Sequence, residues 1–296
     1  MPPAAPPLIL YRDAGLWAEA NRDRFEGLRV LQWRPPVVPV DPGVDRIDLL
    51  AGLPFEDTST PWIHAFHVLE HLDLHEARAL LVECRRVLRP GGRLRVSTPD
   101  FAGHLRLHLE CLERMRRRPD DPQARTDVEY LRLLVLDQRV RRRSGGRMLD
   151  FLRTREVDRE LATRALGLTG PFLLDLVRGR GASSASANDA SGDASAVAAR
   201  SPRRTLPSRV IGAIRRRLPW PRSRPWWALD CRETRELEIT NWDDVSLVRE
   251  LNGAGFEQCV AMSDGESGIE RWPDLDRCPR TGASLERSAI AEGVRP

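Results

Sequence analysis

Apolar and polar positions follow two rhythms over the first hundred residues. Short apolar runs at 37–42 ("VVPVDP"), 44–55 ("VDRIDLLAGLPF") and 62–66 ("WIHAF") read as strands, the first ending in an acid and a turn. From Asp73 the interval lengthens: Ala77, Leu80, Leu81, Cys84, Val87 and Leu88 repeat at helical spacing. Asp73 is a fitting N-cap, with Glu76 three residues on to complete a capping box. "RPGG" stops the helix, one of its glycines taking the left-handed conformation, and residues 93–100 ("RLRVSTPD") then read as a strand. Strand, helix, strand is the parallel crossover unit, so the pattern predicts an α/β sheet.

The rhythm changes again further on. Residues 104–178 are arginine-rich and predominantly helical in pattern. Residues 179–205 hold almost no bulky apolar side chain, too few to offset the entropy of ordering, and are expected to be a disordered linker. The basic stretch 209–227 carries three tryptophans. It suits either a peripheral contact with an anionic membrane surface or packing back onto the domain. A capped helix beginning at Asp243 or Asp244, a strand at 256–262 and a final strand at 288–296 complete the chain. The expected organisation is an α/β domain in two parts, 1–103 and 206–296, separated by a helical insertion at 104–178 and the linker.

Composition narrows the class. The 296 residues are 41% hydrophobic, enough for a substantial core, and no apolar run reaches the roughly 18 residues of a membrane helix. The first residues lack the features of a secretory signal, so a cytoplasmic location is expected. Five cysteines without a C-x-x-C pair point to reduced structural thiols. The net charge of +4 comes from a chain whose 47 basic residues are all arginine. A GC-rich genome accounts for that bias, and no nucleic-acid partner is expected.

Four of the six histidines fall between His64 and His75, in "HAFHVLEHLDLH". "HVLEH" has the H-x-x-E-H spacing of a class of zinc peptidases, which would need His67 and His71 on one helical face and Glu70 as base. The strand-like "WIHAF" before it and the lack of a second ligand pair downstream argue against a metal, and none is expected.

"LPFED", "HVLEHL" and "RVLRPGG", in this order and spacing, resemble the class I S-adenosylmethionine-dependent methyltransferases of the type 11 group. In particular they resemble predicted methyltransferases found with bacterial surface-polysaccharide genes. The likeness covers about residues 37–101 and 237–296. It implies a doubly wound, Rossmann-like seven-stranded sheet with S-adenosylmethionine across the carboxyl ends of the strands. By position, Asp41 would accept from the ribose hydroxyls, Asp48 and Leu49 would meet the adenine, and Leu53 would help form its apolar wall. His67 would leave the fourth strand near the methionine end. His67, His71 and Asp100 are the candidate bases, the histidines because their type titrates near neutrality.

The pattern departs from the family at the first strand. A glycine-rich turn should let the backbone approach the methionine tail. Residues 8–15 ("LILYRDAG") offer one glycine, and 28–41 put Gln32, Trp33 and Arg34 where glycines belong. Two functions follow: methyl transfer by in-line displacement to an unidentified small-molecule or glycan acceptor, or an inactive methyltransferase-like scaffold that no longer takes the cofactor.

Overall fold

The computed structural model describes residues 6–12, 15–34, 40–41, 44–179, 230–270 and 272–296. The strands are β1 (Leu8–Tyr11), β2 (Arg29–Trp33), β3 (Asp45–Ile47), β4 (Thr60–Phe66), β5 (Leu88–Pro99), β6 (Glu257–Met262) and β7 (Ser288–Val294). They form one seven-stranded sheet in the order β3-β2-β1-β4-β5-β7-β6. β1 to β5 pair in parallel, and β7 runs antiparallel between β5 and β6. This is the doubly wound, Rossmann-like methyltransferase sheet that the resemblance implies.

β1 is central because all four of its side chains are apolar or aromatic and fully buried, as a strand covered on both faces must be. Leu8 and Leu10 join one core with Leu31, Ile63, Ala65, Leu94 and Val96. Ile9 and Tyr11 point the other way, toward Trp17, Trp62 and Phe66. Helix α1 (Gly15–Asn21) brings Trp17 to that second face, and α2 (Leu74–Val87) covers the first with Leu80, Leu81 and Cys84.

The helix signals in the sequence are realised. Asp73 accepts from Glu76 N and the Glu76 side chain accepts from Asp73 N, a closed capping box. α2 runs straight into β5, where Gly91 is left-handed (φ +74). At Gly92 a Cβ would stand 2.9 Å from Pro61 O, so the close approach of β4 needs glycine there.

The strand assignment near the start is corrected. The second strand is Arg29–Trp33; of the run 37–42, Val40 and Asp41 lie beyond it in non-strand backbone, and Val37 to Pro39 and Pro42 fall outside the described residues. The run 37–42 is apolar enough for a strand, but its two prolines lack the N–H donors that a central ladder needs. Residues 180–205 of the expected linker and the tryptophan-bearing stretch likewise lie outside the described residues.

Between β5 and that stretch, α3 (Phe101–Arg117), α4 (Pro122–Val140), α5 (Gly146–Thr154), α6 (Arg159–Leu166) and α7 (Thr169–Val177) form a helical layer. It has its own core, with Leu107, Leu131, Leu134, Leu161 and Leu174 at its centre. It stands next to the carboxyl ends of β4 and β5. Near the end of the chain, helix α8 (Asp244–Gly253) is capped by Asp243 and laid on the first face of the sheet through Leu247 and Leu251.

Candidate active site

β4 ends at Phe66, and the next residue, His67, takes a left-handed backbone (φ +48) that a β-carbon disfavours. The His67 N–H donates to Ser97 O at 2.9 Å, which holds the chain to β5 as it turns. The ring is thereby aimed at β7: Nε2 lies 3.0 Å from Ser288 Oγ. Its Nδ1 stands 3.7 Å from Glu70 Oε1 and 3.5 Å from Glu286 Oε2. Glu70 follows on a short 3-10 turn (Leu69–His71), buried, with Oε2 lacking any hydrogen-bond partner.

His67, Glu70, Glu286, Glu238 and Thr98 line one end of a cavity of about 150 Å³. The other end is made by the helical layer, including Phe101, Tyr130, Leu134, Met148 and Leu174. The polar end is electrostatically unusual. Burial holds the His67 imidazole down to about 3, so it is neutral at ordinary pH. Burial also raises the Glu70 carboxyl well above its usual range and lifts Glu286 to about 8.

The expected bases are therefore redistributed. His67 lines the cavity, but its depressed pKa removes the near-neutral titration expected of it. His71 lies outside the lining; Nδ1 meets Leu237 O at 3.0 Å, and burial keeps it neutral as well. Asp100 is the N-cap of α3, its carboxylate accepting from Gly103 N at 2.8 Å. The group with free acceptor capacity in the cavity is Glu70. Glu238 and Glu286 carry no signal in the sequence, since neither belongs to a motif and the fold alone brings them to residue 70.

The expected cofactor residues gather around the ends of β1 to β3. Asp41 Oδ2 accepts from Tyr11 OH at 2.8 Å and from Gln32 Nε2 at 3.2 Å, and its N–H donates to Gln32 Oε1. Its Oδ1 edge faces Arg34 at 4.0 Å, and the side chain is about a third exposed. The Asp48 carboxylate accepts from Leu50 N on an exposed edge. Leu49 and Leu53 are buried in the main core.

The methionine end is different. Arg12 follows β1 where a glycine turn should be, buried, with its guanidinium donating to Thr234 O. Burial lowers its pKa to about 10. Thr234 belongs to a strap, residues 230–241, that crosses the carboxyl ends of the strands. Ile239 N and Thr240 N both donate to Glu70 O, and Thr240 Oγ1 donates to Leu69 O and Leu72 O. The adenosine end thus offers acceptor edges that fit the cofactor. At the methionine end, Arg12 and the strap stand where the resemblance expects a glycine turn.

Among the described residues, no group of three or more His, Cys, Asp or Glu is placed to hold a metal ion, and no helix is long and apolar enough to cross a membrane.

Residues 41–96 match the family model described as a methyltransferase domain. That stretch runs from the acid beyond β2 through β4, His67 and Glu70 into β5. No curated protein matches the chain. Among solved structures, a Pyrococcus horikoshii protein is 19% identical, with 37% of this chain covering 54% of that one (TM-score 0.26). Phosphoethanolamine N-methyltransferase 2 of Haemonchus contortus, solved with S-adenosylmethionine, is 19% identical, with 33% of this chain covering 25% of it (TM-score 0.23). The cyclase SpnF is 23% identical, with 33% of this chain covering 40% of it (TM-score 0.24). The chain therefore spans between a quarter and about half of the length of these structures.

Proposed function

We propose that this chain is an S-adenosylmethionine-dependent methyltransferase whose acceptor enters the cavity between the ends of β4 and β5 and the helical layer. The observation that carries the reading is Glu70: a buried carboxyl with an unpartnered oxygen, inside the methyltransferase-domain match and at the sheet edge where open α/β sheets bind ligands. When bound, the cofactor supplies an electrophilic sulfonium methyl group. Asp41 and Asp48 would hold its adenosine part.

This chain's own residues then have separable tasks. Glu70 accepts a proton from the acceptor, burial making it a stronger base than an exposed glutamate. His67, neutral and held by Ser288, keeps the two carboxyls apart and oriented. The helical layer and strap exclude water. Holding two reactants near attack geometry contributes roughly 7–11 kcal/mol to such reactions. The apolar half of the cavity suits a small acceptor better than a polar glycan chain.

A second reading, a methyltransferase fold serving as a scaffold, is favoured by Arg12 and the strap. Calorimetric titration with S-adenosylhomocysteine separates the two. Micromolar binding that Asp41→Ala weakens at least tenfold supports the enzyme; a folded chain that ignores millimolar ligand supports the scaffold.

A further inference from the structure

The cavity holds carboxyl groups in excess of the cations that reach them. Glu238 has Arg139 at 3.7 Å, and Arg139 is also held by Asn241 and lies over the Phe101 ring. Glu70 Oε1 faces His67 Nδ1 at 3.7 Å and His71 Nε2 at 3.8 Å, while Glu286 faces His67 Nδ1 at 3.5 Å and accepts from Thr169 Oγ1 at 3.2 Å. Burial keeps both imidazoles neutral, so neither brings a positive charge to the carboxyls. Three other bases stand around them. His104 gives its Nε2 to Ala165 O, Arg12 is tied to Thr234 O, and Arg287 is exposed at the rim. On the same wall, the fully buried Thr98 hydroxyl has no partner. Buried polar groups are nearly always satisfied, and two unsatisfied ones in one cavity mark the place where a ligand completes the bonding.

We propose that this cavity binds a small organic ammonium ion, its charged nitrogen between Glu70 and Glu286 and its apolar body against the helical layer. An ammonium offers donors only, and the two carboxylates and the threonine oxygen are acceptors. An anion would meet three carboxyls. A neutral alcohol could bond one of them but would bring no charge to balance the pair. The body of the ligand would lie among Phe101, Leu134, Met148 and Leu174, which offer contact without further polar demands.

Burial supports the same assignment. In the chain by itself, Glu286 is raised to about 8 and Glu70 well above its usual range, so a proton balances the charge that an ammonium would balance. Amine binding should displace that proton and therefore tighten as pH rises from about 6 to about 8.5. His67, held to about 3, stays neutral throughout.

The inference deepens the methyltransferase reading by naming the acceptor class, but the two fail separately. Ammonium binding requires no cofactor, and cofactor binding requires no amine.

The test is calorimetric titration of the full chain with hexylammonium, hexanol and hexanoate at pH 8. The expected result is saturable binding of hexylammonium at least tenfold tighter than hexanol, with hexanoate weakest. Glu70→Gln and Glu286→Gln should each reduce hexylammonium affinity at least tenfold and leave hexanol unchanged. Should Glu70→Gln fail to fold, Glu286→Gln, nearer the rim, poses the same question. Equal binding of alcohol and amine, preference for hexanoate, or indifference to a folded carboxamide variant would each overturn the proposal.

Discussion

Two buried charge clusters lie on this sheet, and they are built on opposite principles. On β5, Arg95 pairs directly with Glu292 of β7, both fully buried. Arg95 also binds Asp276 and Glu266 O, and lies 4.8 Å over the Trp272 ring. Glu292 accepts from Ser267 Oγ and Gly268 N as well, and Asp276 accepts from Gly265 N. Each of these charges has several partners, with Arg95 Nε the one atom of the guanidinium and two carboxylates that is buried without a hydrogen bond. At the end of β4, by contrast, Glu70 has only the neutral imidazoles of His67 and His71 and Glu286 only His67 and the Thr169 hydroxyl, and both Glu70 Oε2 and Thr98 Oγ1 go unmatched. The first cluster fastens residues 265–268 and Asp276 to the sheet; the second is left incomplete, as a place that receives something is.

The largest expected effect lies on the complete side. Arg95→Met strands two buried carboxylates and should cost about 3–5 kcal/mol in urea unfolding. A loss under about 1 kcal/mol would show that the network is not buried as described.

A pH series tests the incomplete side. Glu286 is raised from an ordinary value near 4.5 to about 8. Its contribution to stability is fully present below the ordinary value and is lost as pH rises through the folded one. His67, lowered from 6.5 to about 3, acts in the opposite sense: its contribution is present above the ordinary value and lost as pH falls toward 3. Glu286→Gln should therefore flatten the decline of unfolding free energy between about pH 5 and 8, an effect on the order of a few kcal/mol. Unchanged slopes would mean the carboxyl is already solvated.

The smallest effect is a paired contrast. Ser267→Ala removes a donor to a buried carboxylate and should cost roughly 1–2 kcal/mol. Thr98→Val removes a hydroxyl that bonds nothing and should lie within about 0.5 kcal/mol of the parent, or be stabilising. Thermal midpoints in the opposite order would undo the distinction between the clusters.

Much of the scaffold was legible in the sequence because local chemistry specifies it. The Asp73–Glu76 box, the start of α8 at Asp243 and the glycine turn before the body of β5 are each written in a few adjacent residues. The start of the sheet was less legible, since both "LILY" and "RVLQW" are strands and only pairing shows which comes first in space. The site was read in part. His67 and Glu70 stand in a recognisable motif, but burial, which no motif records, decides their protonation. Glu238 and Glu286 come from distant segments that only the tertiary fold brings to residue 70, and Asp100 proved to be spoken for by a helix end.

The order of the strands also sets the order of events in time. β6 pairs with β7, and β7 reaches the sheet through β5, joining Arg93 to Val294 across the intervening length of chain. Closure of so long a loop is slow compared with local helix formation. Glu286 sits two positions before β7, so the second carboxyl reaches its place in the same late step that docks the last strand. A refolding experiment should therefore find most helical signal regained before any ligand can bind, with binding competence appearing in the final kinetic phase.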